Sequence, residues 1–211
     1  MNRLANLGLA TIDVYYVHNP ETQLTVVPRS AFMTRLRAVF EMLERAVADG
    51  HIGRYGVATW DGFRKPPEAR EHLSLAALVD AAAAVGGKRH HFRVVQLPYN
   101  LGMPEARATP TQIVGGERVS VLEAARRLGV SVVTSAAILQ GQLARRLSPA
   151  VAIALPDLDT DAQRALQFAR STPGIATALV GMSRRRHVAE NLAVARTEPT
   201  PAGVDSLLAR R

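Results

Sequence analysis

The sequence predicts an α/β protein built on a parallel sheet, and three observations lead there. Short runs of β-branched residues recur five times, at residues 12–17, 55–58, 94–97, 130–134 and 177–180. A longer stretch with helical spacing follows each run, which implies parallel strands joined by right-handed crossovers. The loops that leave the runs (19–30, 60–73 and 99–119) are long, whereas those that enter them are short. That asymmetry places the working face at the C-terminal ends of the strands.

Each run is apolar on consecutive positions, the pattern of strands buried on both faces. The first helix is expected over 31–48, with Phe32, Leu36, Val39, Leu43 and Val47 on one face and Gly50 as its stop. The second opens at Ser74 and stays alanine-rich to Gly86-Gly87. The third carries the capping box Ser120-Val121-Leu122-Glu123 and ends at Gly129. The fourth repeats that device with Thr160-Asp161-Ala162-Gln163 and stops at Pro173-Gly174. The fifth starts after Ser183 and is expected to turn Val188, Leu192 and Ala195 inward. A last short helix begins at Thr200-Pro201, where proline suits the first helical position. Nothing in the chain reads as a linker, so residues 1–211 are expected to form a single domain. Five units do not close a barrel of eight. Periodicity leaves open both a five-stranded doubly wound sheet and a barrel lacking three units.

Composition narrows the function classes. The chain has 211 residues, 47% of them apolar and 21% charged, as in an ordinary globular domain. It has no cysteine, hence no disulfide framework and no thiolate chemistry. No apolar run is long enough to cross a membrane, and the first residues lack a signal-peptide core, so cytoplasmic localisation is expected. The formal charge is +8, yet Lys65 and Lys88 are the only lysines. Apart from Arg184-Arg185-Arg186, the arginines are scattered singly or in pairs, and that dispersal reads as a solvated surface more than as a nucleic-acid face. His90 and His91 are adjacent and would point to opposite faces of a strand, a poor start for a metal site. There is no Gly-x-Gly-x-x-Gly fingerprint, phosphate loop or Gly-x-Ser-x-Gly elbow.

Five segments, in order, resemble one family. The run from Leu7 through Asp13 to His18-Asn19-Pro20 is similar to the fourth strand of aldo-keto reductases. Gly50-His51-Ile52-Gly53-Arg54-Tyr55-Gly56-Val57-Ala58-Thr59-Trp60 looks like the fifth, and Val95-Gln96-Leu97-Pro98-Tyr99-Asn100 like the sixth. The stretch from Gly129 through Gln140-Gly141-Gln142-Leu143 resembles the seventh. Ala178-Leu179-Val180-Gly181-Met182, continuing to Glu190-Asn191-Leu192, resembles the eighth with its cofactor helix.

The resemblance implies a (β/α)8 TIM-barrel fold, truncated here to its last five βα units. It also implies reduction of small aldehydes and ketones with NADP(H). His18 matches the family's strand-end histidine, which orients the carbonyl. The family's catalytic aspartate, tyrosine and lysine belong to the second and third units and have no counterpart in these five. Thr59 and Gln96 match positions that hold the nicotinamide amide, although Trp60 stands where the family has asparagine. Ser135 falls where an aromatic ring often stacks on the nicotinamide. Gly181, Ser183, Arg184, His187, Glu190 and Asn191 match the segment that receives the adenosine 2′-phosphate and the adenine.

Cations at a helix N-terminus oppose the helix dipole, and together with free amides they suit a phosphate. The alternatives are a non-catalytic nucleotide-binding domain and a nonfunctional truncated reading frame. A sheet open at both ends predicts self-association through its edges.

Overall fold

The computed structural model describes residues 7–209; the leader reading, which rests partly on residues 1–6, lies outside them. The chain runs β1 (Ile12–His18), α1 (Arg29–Ala48), β2 (Ile52–Ala58), α2 (Leu75–Gly86) and β3 (Phe92–Pro98). A long excursion follows, with a short α3 (Glu105–Ala108) and the strands β4 (Gln112–Val114) and β5 (Glu117–Val119). Then come α4 (Val121–Leu128), β6 (Ser131–Ser135), α5 (Pro149–Ala154) and α6 (Asp161–Arg170). The chain closes with β7 (Ile175–Ala178), α7 (Arg185–Ala193) and α8 (Pro201–Ala209).

The main sheet has the order β1-β2-β3-β6-β7, parallel throughout. This order decides between the two architectures that periodicity left open. A doubly wound sheet reverses its direction of growth at a switch point, where its ligand sits. Here the sheet grows in one direction only, as the wall of a barrel does. Right-handed crossovers that always step the same way put their helices on the same face.

Burial follows from that arrangement. Tyr55, Val57, Val95, Leu97 and Val132 point to the helices and join the hydrophobic core. Tyr16, Gln96 and Val133 point the other way and are only half buried, while His18 is exposed. The expectation of burial on both faces holds at the centre, where Gly56 and Ala58 of β2 and Val94 of β3 are buried. It fails at the outer β1 and β7, where no second layer covers the other face among the described residues. β1 and β7 also have one unpaired edge each among these residues.

Helix α1 buries Phe32, Leu36, Phe40 and Leu43. Phe40, absent from the expected stripe, is fully buried, and Val39 and Val47 pack at the margin. Its ring lies 5.2 Å from Tyr55 and 5.4 Å from Phe92, tying the helix to β2 and β3. Truncating such a ring to alanine typically costs about 3–5 kcal/mol.

The caps largely follow the sequence. Ser74 and Ser120 accept the amides of Ala77 and Glu123, and Thr160 with Gln163 forms a complete capping box. Glu123 turns outward to Arg126 and Arg127, which compete for its carboxylate. The interior face of α7 needs correction. Leu192 and Val188 are exposed, and Val194 rather than Ala195 reaches the core. The reason is geometric: α7 lies beside the last strand of the sheet, and Leu192 lines an open groove of about 370 Å³ there.

Candidate functional site

The parallel ladder brings the strand ends level. His18 pairs in register with Ala58, Ala58 with Gln96, Gln96 with Val133, and Pro98 with Ser135. Register partners share a face, so His18, Gln96 and Ser135 stand along the open face near the C-terminal rim. Backbone bonds carry the ladder past the strands. Asn19 N–H donates to Ala58 O at 2.6 Å, Thr59 N–H to Gln96 O at 2.9 Å, and Leu179 N–H to Thr134 O at 2.7 Å.

Side chains then staple neighbouring loops together. Asn19 has φ +45°, the left-handed region that asparagine tolerates better than most residues. Its Oδ1 accepts the Trp60 amide at 3.1 Å, joining the loop after β1 to that after β2. Glu21, buried in the same first loop, accepts a hydrogen bond from the Thr59 hydroxyl through Oε1. Asn100 does the corresponding work on the far side: Nδ2 donates to Ala136 O at 2.9 Å, and Oδ1 accepts Gly102 N–H at 2.8 Å. None of these braces is legible as a role in the sequence. The available signals were an asparagine before proline at Asn19-Pro20 and the Tyr99-Asn100 pair directly after a strand.

Of the residues singled out by sequence, His18, Thr59, Gln96 and Ser135 come together at the ends of β1, β2, β3 and β6. Thr59 differs from the rest in orientation. It is buried, donates to Glu21 and accepts Gly62 N–H at 2.9 Å, so its hydroxyl serves the fold. Tyr16 precedes His18 by two residues on the same face. Burial raises its phenol above the ordinary value.

Gly181, Ser183, Arg184, His187, Glu190 and Asn191 form a second group after β7. Arg184 is the N-cap of α7, with no side-chain cap and no acidic residue in the first turn. His187 N–H already donates to Arg184 O at 2.9 Å, so the amides of Arg185 and Arg186 are the ones left to an outside acceptor, beside the exposed Arg184, Arg185 and Arg186 side chains. His187 Nε2 accepts Arg186 Nε at 3.3 Å. Glu190 presents its carbonyl to Gln163 Nε2 at 3.0 Å, docking α7 on α6, while Asn191 lines the groove beside β7.

At the opposite, N-terminal end of the sheet, Glu44 accepts the Tyr55 hydroxyl at 2.8 Å and the His91 amide and ring nitrogen at 2.7 Å each. Desolvation there works to raise the Glu44 pKa, but the bonds from His91 and Tyr55 outweigh it and hold the carboxyl below its usual range. The adjacent histidines thus part ways: His91 pairs with Glu44, and His90 sits beside Arg93.

A parallel sheet that grows in one direction, with polar side chains at its strand ends, has the order of a (β/α)-barrel wall. The comparisons agree. The sequence model of the aldo/keto reductase family matches residues 2–207, so the chain belongs to that family. Among solved structures, the chain is similar to a thermostable aldo-keto reductase in complex with the inhibitor epalrestat, at 19% identity and a TM-score of 0.61 over 98% of this chain and 62% of that one. It is also similar to an apo aldo-keto reductase from Bacillus halodurans, at 18% identity and TM-score 0.62, covering 98% of this chain and 64% of that one. A third is an aldo-keto reductase from Klebsiella pneumoniae in complex with NADPH, at 20% identity and TM-score 0.64, covering 97% and 60% respectively. The chain thus spans about three-fifths of the length of these structures. No curated protein matches it.

Proposed function

We propose that these residues form the last five βα units of an NADP(H)-dependent aldo-keto reductase barrel acting on small aldehydes and ketones. The observation that carries the reading is the level row of strand-end side chains, His18, Gln96 and Ser135, on the open face of a sheet with barrel order.

The chemistry of the donors fits the dinucleotide. The uncapped N-terminus of α7, with three exposed arginines, suits an anionic phosphate. Gln96, half buried at the rim, offers both a donor and an acceptor for a carboxamide. When bound, the dinucleotide would supply the hydride. His18 would donate a hydrogen bond to the carbonyl oxygen of the substrate, and Thr59, through Glu21, would fix the end of β2 beneath the ring. Asn19 and Asn100 keep adjacent strand ends from separating. No aspartate-tyrosine-lysine set for proton delivery accompanies His18 among the described residues, so binding and turnover come apart. The chain alone is expected to bind NADPH in equilibrium dialysis and to leave NADPH unoxidised with simple aldehydes. Failure to bind contradicts the cofactor assignment, and turnover by the chain alone contradicts the division of labour among the units.

A further inference from the structure

We propose that the Trp60 indole is a stacking plate for a planar ring at the strand-end face, either the pyridine ring of the dinucleotide or the aryl ring of a carbonyl substrate. The proposal rests on reading that rim as the ligand site. Trp60 is the only tryptophan in the chain and is 43% exposed. A lone exposed apolar side chain is ordinary, but the backbone on either side of this one is held by side-chain bonds.

Its amide is held by Asn19 Oδ1 at 3.1 Å. The preceding Thr59 is buried, bonded to Glu21 through its hydroxyl and to Gln96 O through its amide. Two residues on, Gly62 N–H returns to the Thr59 hydroxyl at 2.9 Å, and Gly62 O accepts Leu73 N–H at 2.7 Å. A Cβ on Gly62 would lie 2.8 Å from the Thr59 oxygen and 2.7 Å from Leu73, so the turn admits only glycine without rearrangement. The fold therefore spends a buried carboxylate, an asparagine and a glycine on the turn that carries one exposed ring.

Position supplies the second argument. Trp60 follows Ala58 by two residues, and Ala58 lies in register between His18 and Gln96. An exposed indole on the turn directly after the strand position that His18 and Gln96 flank suits a flat ring bearing a carbonyl or carboxamide. A rigid aromatic has little side-chain freedom to lose on stacking, which favours binding through preorganisation.

The test uses the 211-residue chain and its Trp60→Leu and Trp60→Phe variants, with matched urea midpoints showing that each is folded. Each is titrated calorimetrically with NADPH, N1-methylnicotinamide and 4-nitrobenzaldehyde, with indole emission followed in the parent. Trp60→Leu is expected to weaken the ring that stacks by about three- to tenfold, Trp60→Phe to recover most of it, and emission to change saturably. A loss confined to the nicotinamide compounds assigns the plate to the dinucleotide, and a loss confined to the aldehyde assigns it to the substrate. Equal affinities in all three proteins, or no binding of any ring, overturn the plate. NADPH binding that is unaffected at Trp60 leaves the cofactor assignment standing. Ring binding without NADPH binding removes the cofactor assignment and keeps the plate.

Discussion

The Thr59 hydroxyl donates to the buried Glu21 carboxylate, and this one bond ties the loop after β1 to the loop after β2. Glu21 Oε2 has no partner among the described residues, so Thr59 is the side chain that answers the carboxylate. Replacing Thr59 with valine removes that donor and the acceptor for Gly62 N–H. A buried group left unsatisfied costs about 1–3 kcal/mol. Thr59→Val is expected to lower the urea midpoint accordingly, and Thr59→Ser to restore most of it. Equal stability of the valine variant and the parent would remove the brace from the account.

A second polar cluster anchors the other end of the sheet. Glu44 holds the Tyr55 hydroxyl and two His91 groups, and its folded pKa is lowered. The sign follows from linkage. A carboxyl with a depressed folded pKa contributes stability above its unfolded value of about 4.3, and this is lost as pH falls through the folded value. Glu44→Gln is expected to lower stability at pH 7 and to flatten the loss of stability below about pH 4.3. Acid unfolding curves for the two proteins check this, and parallel curves would contradict it. The charged and titratable neighbours, His90, His91 and Arg93, stay in place in both proteins.

His72 makes a separate pH-dependent contribution. It is buried with Nε2 2.8 Å from Thr111 O, and burial is the main cause of its lowered pKa, with the bond to Thr111 opposing and Arg29 reinforcing the shift. The folded chain therefore holds this ring neutral where the unfolded chain would protonate it. Its contribution is complete above about pH 6.5 and declines as pH falls through the lowered folded value. His90, also lowered by burial and by Arg93, acts in the same direction. His72→Gln is expected to reduce the slope of stability against pH below about 6.5. An unchanged slope would assign the whole effect to His90.

The legible parts of the fold were those set by local chemistry. Thr160 with Gln163 and Ser74 with Ala77 mark helix starts through a single side chain, and both formed as expected. The hairpin of β4 and β5 lies within the expected loop 99–119, although Gly115-Gly116, both with positive φ, is a turn signal between its two short strands. Helix α5 is an element beyond those expected, and its signal is Ser148 followed by proline at the first position. The braces at the rim depend on residues about 40 positions apart, such as Asn19 with Trp60 and Glu21 with Thr59. No window of local sequence contains such a pair. The exposure of Leu192 was hidden for a related reason. Helical spacing marks an apolar face, and only the neighbouring units decide whether that face is covered.

Open strand edges have a consequence in solution. β1 and β7 each present an unpaired edge among the described residues, and Leu179, Met182 and Leu192 are exposed near the latter. The 211-residue chain is expected to sediment as species larger than a monomer at micromolar concentration. Lysine at Thr177, exposed on β7, is expected to shift the distribution toward monomer. A monodisperse monomer with a single cooperative unfolding transition would contradict the expectation.

On the proposed reading, this chain carries the cofactor-binding units of a reductase barrel, with the 2′-phosphate received at the start of α7. Calorimetric titration of the chain with NADPH and with NADH tests it most directly, repeated on the variant with Arg184, Arg185 and Arg186 all replaced by alanine. NADPH is expected to bind at least about tenfold more tightly than NADH, consistent with charge-assisted hydrogen bonds to a phosphate, and the triple variant to lose that difference while keeping its affinity for NADH. Equal affinity of the parent chain for the two dinucleotides, or a preference that survives in the triple variant, would contradict it.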